Sequence, residues 1–99
     1  MRTSIDNRLF EWDDDKAELN RRKHHVRFET AALVFSDEAH IVEFDEEHSI
    51  DEDRWKITGK VDDILFVVYT ERGESTRLIS ARKATAADRR KYYAGTQSY

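Results

Sequence analysis

The chain has 99 residues and a mass of 11.7 kDa, which is one domain's worth of protein spanning 1–99. No stretch approaches the ~18 consecutive apolar residues of a membrane-spanning helix, and 5 Phe, 4 Tyr and 2 Trp are enough aromatics to seed a core. There is no Cys, which excludes disulfides, thiolate metal sites and a thiol nucleophile, and the formal net charge is −4.

The N-terminal segment MRTSIDNRLFEW lacks an apolar signal-peptide core, so a cytoplasmic protein is expected. Arg8 to Trp12 reads as a first strand, with Phe10 and Trp12 on one face. Asp13 is a suitable N-cap, and Asp14 and Asp15 suit the positive end of a helix dipole. The helix so opened runs from about Asp14 to Lys23 and ends in Arg21-Arg22-Lys23. A second helix, roughly Glu29 to Phe35, places Ala31, Ala32 and Phe35 at helical spacing.

Ile41 to Phe44 is a short strand. Residues 45–53 form the most acidic run and read as a solvated loop. From Arg54 to Lys60 the pattern alternates, with Trp55 and Ile57 inward and the basic and polar residues outward. The apolar run Ile64 to Thr70 suits a central strand covered on both faces. Glu71-Arg72-Gly73-Glu74 reads as a tight hairpin, and Thr76 to Arg82 as its return strand. Thr85-x-x-Asp88 is a capping-box signature that opens a last helix, for which Gly95 is the expected stop; the last four residues are expected to fray. The order β-α-α-β-β-β-β-α predicts an α+β domain: an antiparallel meander with two N-terminal helices and one C-terminal helix.

Charge divides unevenly along this order. Residues 1–53 hold 7 Lys+Arg and 16 Asp+Glu, a net of −9. Residues 54–99 hold 10 Lys+Arg and 5 Asp+Glu, a net of +5. A basic half of this kind can sit against a polyanion although the whole chain is acidic.

No phosphate-binding glycine loop, zinc-protease or serine-hydrolase signature is present. His24, His25, His40 and His48 lie at no recognisable metal-ligand spacing. His48 together with Asp45 or Asp51 is the one conceivable divalent-ion set, against the simpler reading of a hydrated acidic loop. What remains is cations, imidazoles and Tyr, a set suited to RNA cleavage without cofactor or metal. There the 2′-hydroxyl attacks the adjacent phosphate, a base takes its proton, an acid protonates the leaving 5′-oxygen, and Arg stabilises the phosphoryl charge. Arg72 sits at the hairpin and Arg82 at the end of its return strand; by alternation Arg77 falls on the opposite face from Arg82. Tyr92 and Tyr93 on the last helix suit packing.

Several segments also resemble one family. Phe10-Glu11-Trp12-Asp13, Lys16, Asn20, Arg22-Lys23-His24, Val26-x-Phe28-Glu29-x-Ala31 and Val34-Phe35-x-Asp37 look like the first half of the BrnT toxins. Arg54 before a strand reaching Gly59, Leu65-x-Val67-Val68-Tyr69-Thr70-Glu71-Arg72-Gly73, Arg77-Leu78-Ile79-Ser80-Ala81-Arg82-Lys83-Ala84 and Arg89-x-x-Tyr92 resemble the second half more strongly. The resemblance covers about residues 9–93. It implies a RelE-like fold and a toxin of a type II toxin–antitoxin module that cleaves RNA and inhibits translation. The implied partner is a BrnA-like ribbon-helix-helix antitoxin, in a heterotetramer that reaches operator DNA through the antitoxin.

By motif, the implied catalytic residues are His24, Glu71, Arg72, Arg82 and Tyr92, with Arg72 and Arg82 as phosphate clamps and His24 or Glu71 as proton carrier. Arg21, Arg22, Lys23, Arg77, Lys83 and Arg89 are the expected RNA-binding cations. The family usually has Gly after the "RKH" His, where this chain has His25; a left-handed helix stop there strains His25 by ~1–2 kcal/mol unless the turn differs. A non-catalytic RNA-binding or co-repressor module is the alternative from another functional class.

Overall fold

The computed structural model describes residues 1–96. Strands β1 (Arg2–Ile5) and β2 (Arg8–Glu11) precede helix α1 (Asp14–His24), helix α2 (Phe28–Ala31) and a 3-10 turn, Ala32–Ser36. Strands β3 (Ile41–Phe44), β4 (Trp55–Val61), β5 (Asp63–Arg72) and β6 (Ser75–Lys83) follow, then helix α3 (Ala86–Thr96). All six strands form one sheet in the order β1-β2-β6-β5-β4-β3.

The antiparallel meander is present as β3 to β6. The full order differs from the expected one at the N-terminus. Asp6 and Asn7, at φ 50° and 67°, make a two-residue turn that adds β1 as a hairpin partner of β2. Asp and Asn are among the residues that accept such left-handed turns. β2 then runs parallel to β6, pairing Phe10 with Thr76 and Glu11 with Arg77, so the sheet is mixed. The second helix is also shorter than expected, because its last residues tighten into the 3-10 turn. At the C-terminus the helix continues through Gly95 to Thr96, so Gly95 is not the stop. Of the last four residues, expected to fray, Thr96 is helical and 97–99 lie outside the described residues.

Two left-handed positions were decided by local chemistry. His25 caps α1 at φ 60° and ψ 29°, so the turn keeps its glycine-like geometry and His25 accepts the strain. Gly73 takes φ 59° in the β5–β6 hairpin.

One face of the sheet carries the main core. Phe10, Trp12, Ile57, Val67, Tyr69, Leu78 and Ala81 meet Val26, Phe28, Ala31 and Val34 there. Edge-to-face rings link Phe10 to Phe35 at 5.3 Å, Phe35 to Tyr69 at 5.0 Å and Trp12 to Phe28 at 5.9 Å. At Gly59 the backbone of β4 comes so close to the 3-10 turn that a Cβ would lie 2.9 Å from the Val34 Cβ and carbonyl oxygen.

Helix α1 joins this layer by an unusual route. Its one large apolar residue, Leu19, is 63% exposed, and Asn20 is its buried residue. The Asn20 amide donates to the carbonyls of Val26 and Ala81, each at 2.9 Å, and accepts from the Ala81 N–H at 3.0 Å. Ala81 lies beyond the short β2–β6 pairing, on a stretch of β6 that no strand among the described residues flanks on that side. Asn20 therefore satisfies backbone groups that a strand would otherwise take.

The other face is only partly covered, which corrects the expectation that β5 is buried on both sides. Phe66 and Val68 remain half-exposed. Helix α3 covers the β3–β4 end of this face: Gly95 touches Ile41, and Lys91 pairs with Glu43 at 3.3 Å.

Replacing Asn20 by Ala leaves the Ala81 peptide and the Val26 carbonyl without partners, each worth about 1–3 kcal/mol when buried. We expect the urea midpoint to fall by the equivalent of about 3 kcal/mol. Asn20→Asp should also destabilise, because a carboxylate cannot donate to either carbonyl. Equal midpoints for wild type and Asn20→Ala would contradict this role.

Candidate nucleic-acid interface

A bulge in β6 decides which cations share a face. Val68 opposes Ser80 and Tyr69 opposes Leu78, which leaves Ile79 as an extra residue. Leu78 and Ala81, an odd number of residues apart, consequently both point into the core. Arg77 and Arg82 therefore lie on the same open face. This corrects the alternation argument, which assumed an unbroken strand.

The open face holds a groove of about 350 Å³. Its floor is Phe66, Val68, Ile79 and Ser80. Around that floor stand Arg82, Lys56 and Arg54, with Asp45, Glu47 and His48 on the side of the acidic loop. The strand alternation puts Arg54 and Lys56 on this face, but no motif marks either for a role. Among the described residues their side chains have no ion-pair or hydrogen-bond partner, and the Nε of Arg54 is buried without one.

Arg82 is the most firmly placed cation. Its guanidinium lies 4.1 Å from the centre of the Phe66 ring and donates to Asp88 at 2.7 Å. Asp88 in turn completes the expected capping box: its N–H donates to the Thr85 hydroxyl, and its carboxylate accepts from the Thr85 N–H. Burial alone would raise the Asp88 carboxyl. The hydrogen bonds from Thr85 and Arg82 outweigh it and hold the group below the usual carboxylate value.

The other expected residues are dispersed. Arg72 is on the open face but six residues of β5 from Phe66, the partner of Arg82, or about 20 Å at the rise of a strand. One phosphate cannot bridge them. Arg72 instead reaches Glu52 at 3.6 Å. Arg77 is bound to Glu11 at 3.1 Å.

Glu71 points to the helix side, where it accepts from Arg8 at 3.0 Å. His24 is half-buried on α1, one turn beyond Asn20, also on the helix side. Arg21 and Arg22 both pair with Glu18, and Lys23 stands exposed beside them. Lys83 meets Asp63 at 3.6 Å, and Arg89 is exposed on α3.

Tyr92 is buried, and its hydroxyl donates to Asp37 at 2.6 Å. Burial and the Asp37 carboxylate together push the phenol up to about 12. Burial opposes ionisation of Asp37 too, but hydrogen bonds from Tyr92, Ala39 and Lys60 prevail and hold it below the usual value. His48 bonds directly to Asp45, and among the described residues no group of three or more His, Cys, Asp or Glu is placed to hold a metal ion.

The molecule is thus a small α+β protein whose sheet is packed by α1 and α2 on one side and, beside α3, offers cations around an apolar floor on the other. A family model described as the ribonuclease toxin BrnT of type II toxin–antitoxin systems matches residues 12–88, and the chain belongs to that family. The 1.1 Å crystal structure of the Brucella abortus ribonuclease toxin BrnT shares the fold. It is 22% identical, with a TM-score of 0.58, over 77% of this chain and 95% of that one. No curated relative matches the chain. No helix among the described residues is long and apolar enough to cross a membrane.

Asp37 and Asp88 both tie α3 to the sheet, and both carboxyls are depressed in the folded state. Their contribution to stability is therefore full above the usual value of about 4 and is lost as pH falls through the folded values. Hydrogen exchange should show α3 amides losing protection in acid before those of β5. Asp37→Asn should flatten that acid dependence; an unchanged profile would contradict it.

Proposed function

We propose that this chain is an RNA-cleaving toxin whose substrate strand lies across the open face of the sheet. The observation that carries this reading is the groove itself. It gathers three cations, two of them unpaired among the described residues, over half-exposed Phe66 and Val68. Cations neutralise phosphates, and an aromatic floor offers a stacking surface to a base.

Arg82 is the best-prepared phosphate ligand, because Phe66 and Asp88 fix its planar fork before RNA arrives. Arg54 and Lys56 supply further positive charge where the phosphorane develops. Arg72 and Arg77, farther along the same face, suit flanking phosphates rather than the reacting one. The reaction proposed is attack by the RNA's own 2′-hydroxyl, which needs no metal ion. Tyr92 holds α3 in place through Asp37 and so supports Arg82 from behind.

In the cell this activity fits inhibition of translation in the cytoplasm. Membership of a type II family implies an antitoxin. A BrnA-like ribbon-helix-helix protein is the partner proposed, in a heterotetramer that binds operator DNA through the antitoxin.

The test is cleavage of an RNA oligonucleotide in EDTA. Wild-type protein should cleave. Arg82→Ala should lose about 10²–10³-fold in rate, the scale of one lost charge-stabilising donor. Lys56→Ala should lose about tenfold with unchanged thermal stability, since among the described residues its ammonium has no partner. Full activity in both variants would overturn the assignment of the face. RNA binding without cleavage by wild type would favour the non-catalytic module instead.

A further inference from the structure

The groove that holds Arg82 contains neither His24 nor Glu71, so a base for the 2′-hydroxyl must come from elsewhere. Its lining includes one imidazole, His48. We infer that His48, oriented by Asp45, is the proton acceptor of the site. This inference rests on the proposed RNA-cleaving role of the groove.

The geometry is that of an oriented base. Asp45 is only 6% exposed, while the His48 side chain is 59% exposed at the mouth of the groove. The Nδ1 of His48 lies 3.0 and 3.2 Å from the two Asp45 carboxylate oxygens. The His48 backbone N–H also donates to Asp45, at 3.3 Å. An ionised carboxylate only accepts, so in a neutral His48 ring the contact selects the tautomer with the hydrogen on Nδ1 and the lone pair on Nε2. Asp45 is itself fixed, since its N–H donates to the Arg54 carbonyl at 2.9 Å.

The loop is also closed on itself rather than loosely solvated. Ser49 donates to the Asp45 carbonyl at 2.6 Å and accepts from the Arg54 N–H at 2.8 Å. That clasp joins the two ends of the acidic segment and sets His48 beside Arg54, on the wall of the groove. The Thr70 hydroxyl holds the Asp53 carbonyl at 2.6 Å and anchors the same segment to β5. A charge run that reads as a plain hydrated loop thereby delivers an imidazole to the cationic face.

Nε2 of His48 takes the 2′-hydroxyl proton, the 2′-oxygen forms its bond to phosphorus, and the bond from phosphorus to the 5′-oxygen breaks. The 5′-oxygen takes a proton from water, and the imidazolium returns its proton to the hydroxide so formed. The products are a 2′,3′-cyclic phosphate and a 5′-hydroxyl. Arg82 and Lys56 neutralise the phosphoryl oxygens throughout.

The test compares wild type, His48→Ala and His48→Gln on an RNA oligonucleotide, with added imidazole as a second arm. Both variants should fall about 10²–10³-fold in cleavage rate and bind a 2′-deoxy version of the oligonucleotide as wild type does, and His48→Gln, which keeps a donor for Asp45, should unfold at the wild-type temperature. Imidazole should restore part of the His48→Ala rate and leave His48→Gln unaffected. A merely structural His48 would show no such rescue. Equal cleavage by wild type and His48→Ala overturns the inference and leaves the ribonuclease reading standing. Absence of cleavage by wild type overturns both.

Discussion

The side chain of Asn20 takes the place of a missing strand. β2 pairs with β6 only at Phe10–Thr76 and Glu11–Arg77, and beyond that point one edge of β6 has no strand beside it among the described residues. Ala81, on that edge, would bury an N–H and a carbonyl without partners. The Asn20 amide meets both and reaches the Val26 carbonyl as well. Because α1 buries so little apolar surface of its own, this contact sets where the helix lies. α1 stays on the core side, β6 stays in the sheet, and the face carrying Arg82 is left open.

Everything on the open face follows from that division. The core side takes Phe10, Val67 and Ala81. The alternate residues Lys56, Phe66, Val68 and Arg82 point away from it. Helix α3 closes one end, held by the Asp37–Tyr92 and Asp88–Arg82 contacts, and the acidic loop closes another. The uneven charge of the chain has a spatial meaning here. Arg54, Lys56 and Arg82 come from the basic half, while Asp45, Glu47 and His48 come from the acidic half. The two halves meet at one groove. The carboxylates take the role of orienting and bounding it, and the cations form its floor edge.

Much of this was legible along the chain. The Asp13 cap, the Thr85–Asp88 capping box, the β3–β6 meander and the inward Ile57 follow from spacing and capping chemistry alone. Arg82 stands out by its motif and its strand end. What was not legible depends on events that alternation does not encode. The extra residue at Ile79 reverses the phase of β6 and moves Arg77 to the face of Arg82. The parallel pairing of β2 with β6 is non-local and leaves no periodic mark. The Asp6-Asn7 turn does carry a local signal, two residues tolerant of positive φ before an alternating segment. His48 has none, since its position on the groove depends on the Ser49 clasp between the ends of the loop.

Placement of RNA on the open face, rather than against the basic end of α1, is tested most directly by amide chemical shifts. The probe is an uncleavable 2′-deoxy oligonucleotide titrated into the protein. Shifts should concentrate at Lys56, Phe66, Val68, Ser80, Arg82 and the 45–53 loop. Shifts confined to Arg21, Arg22, Lys23, His24 and Lys83, with β4 and β5 unmoved, would contradict it.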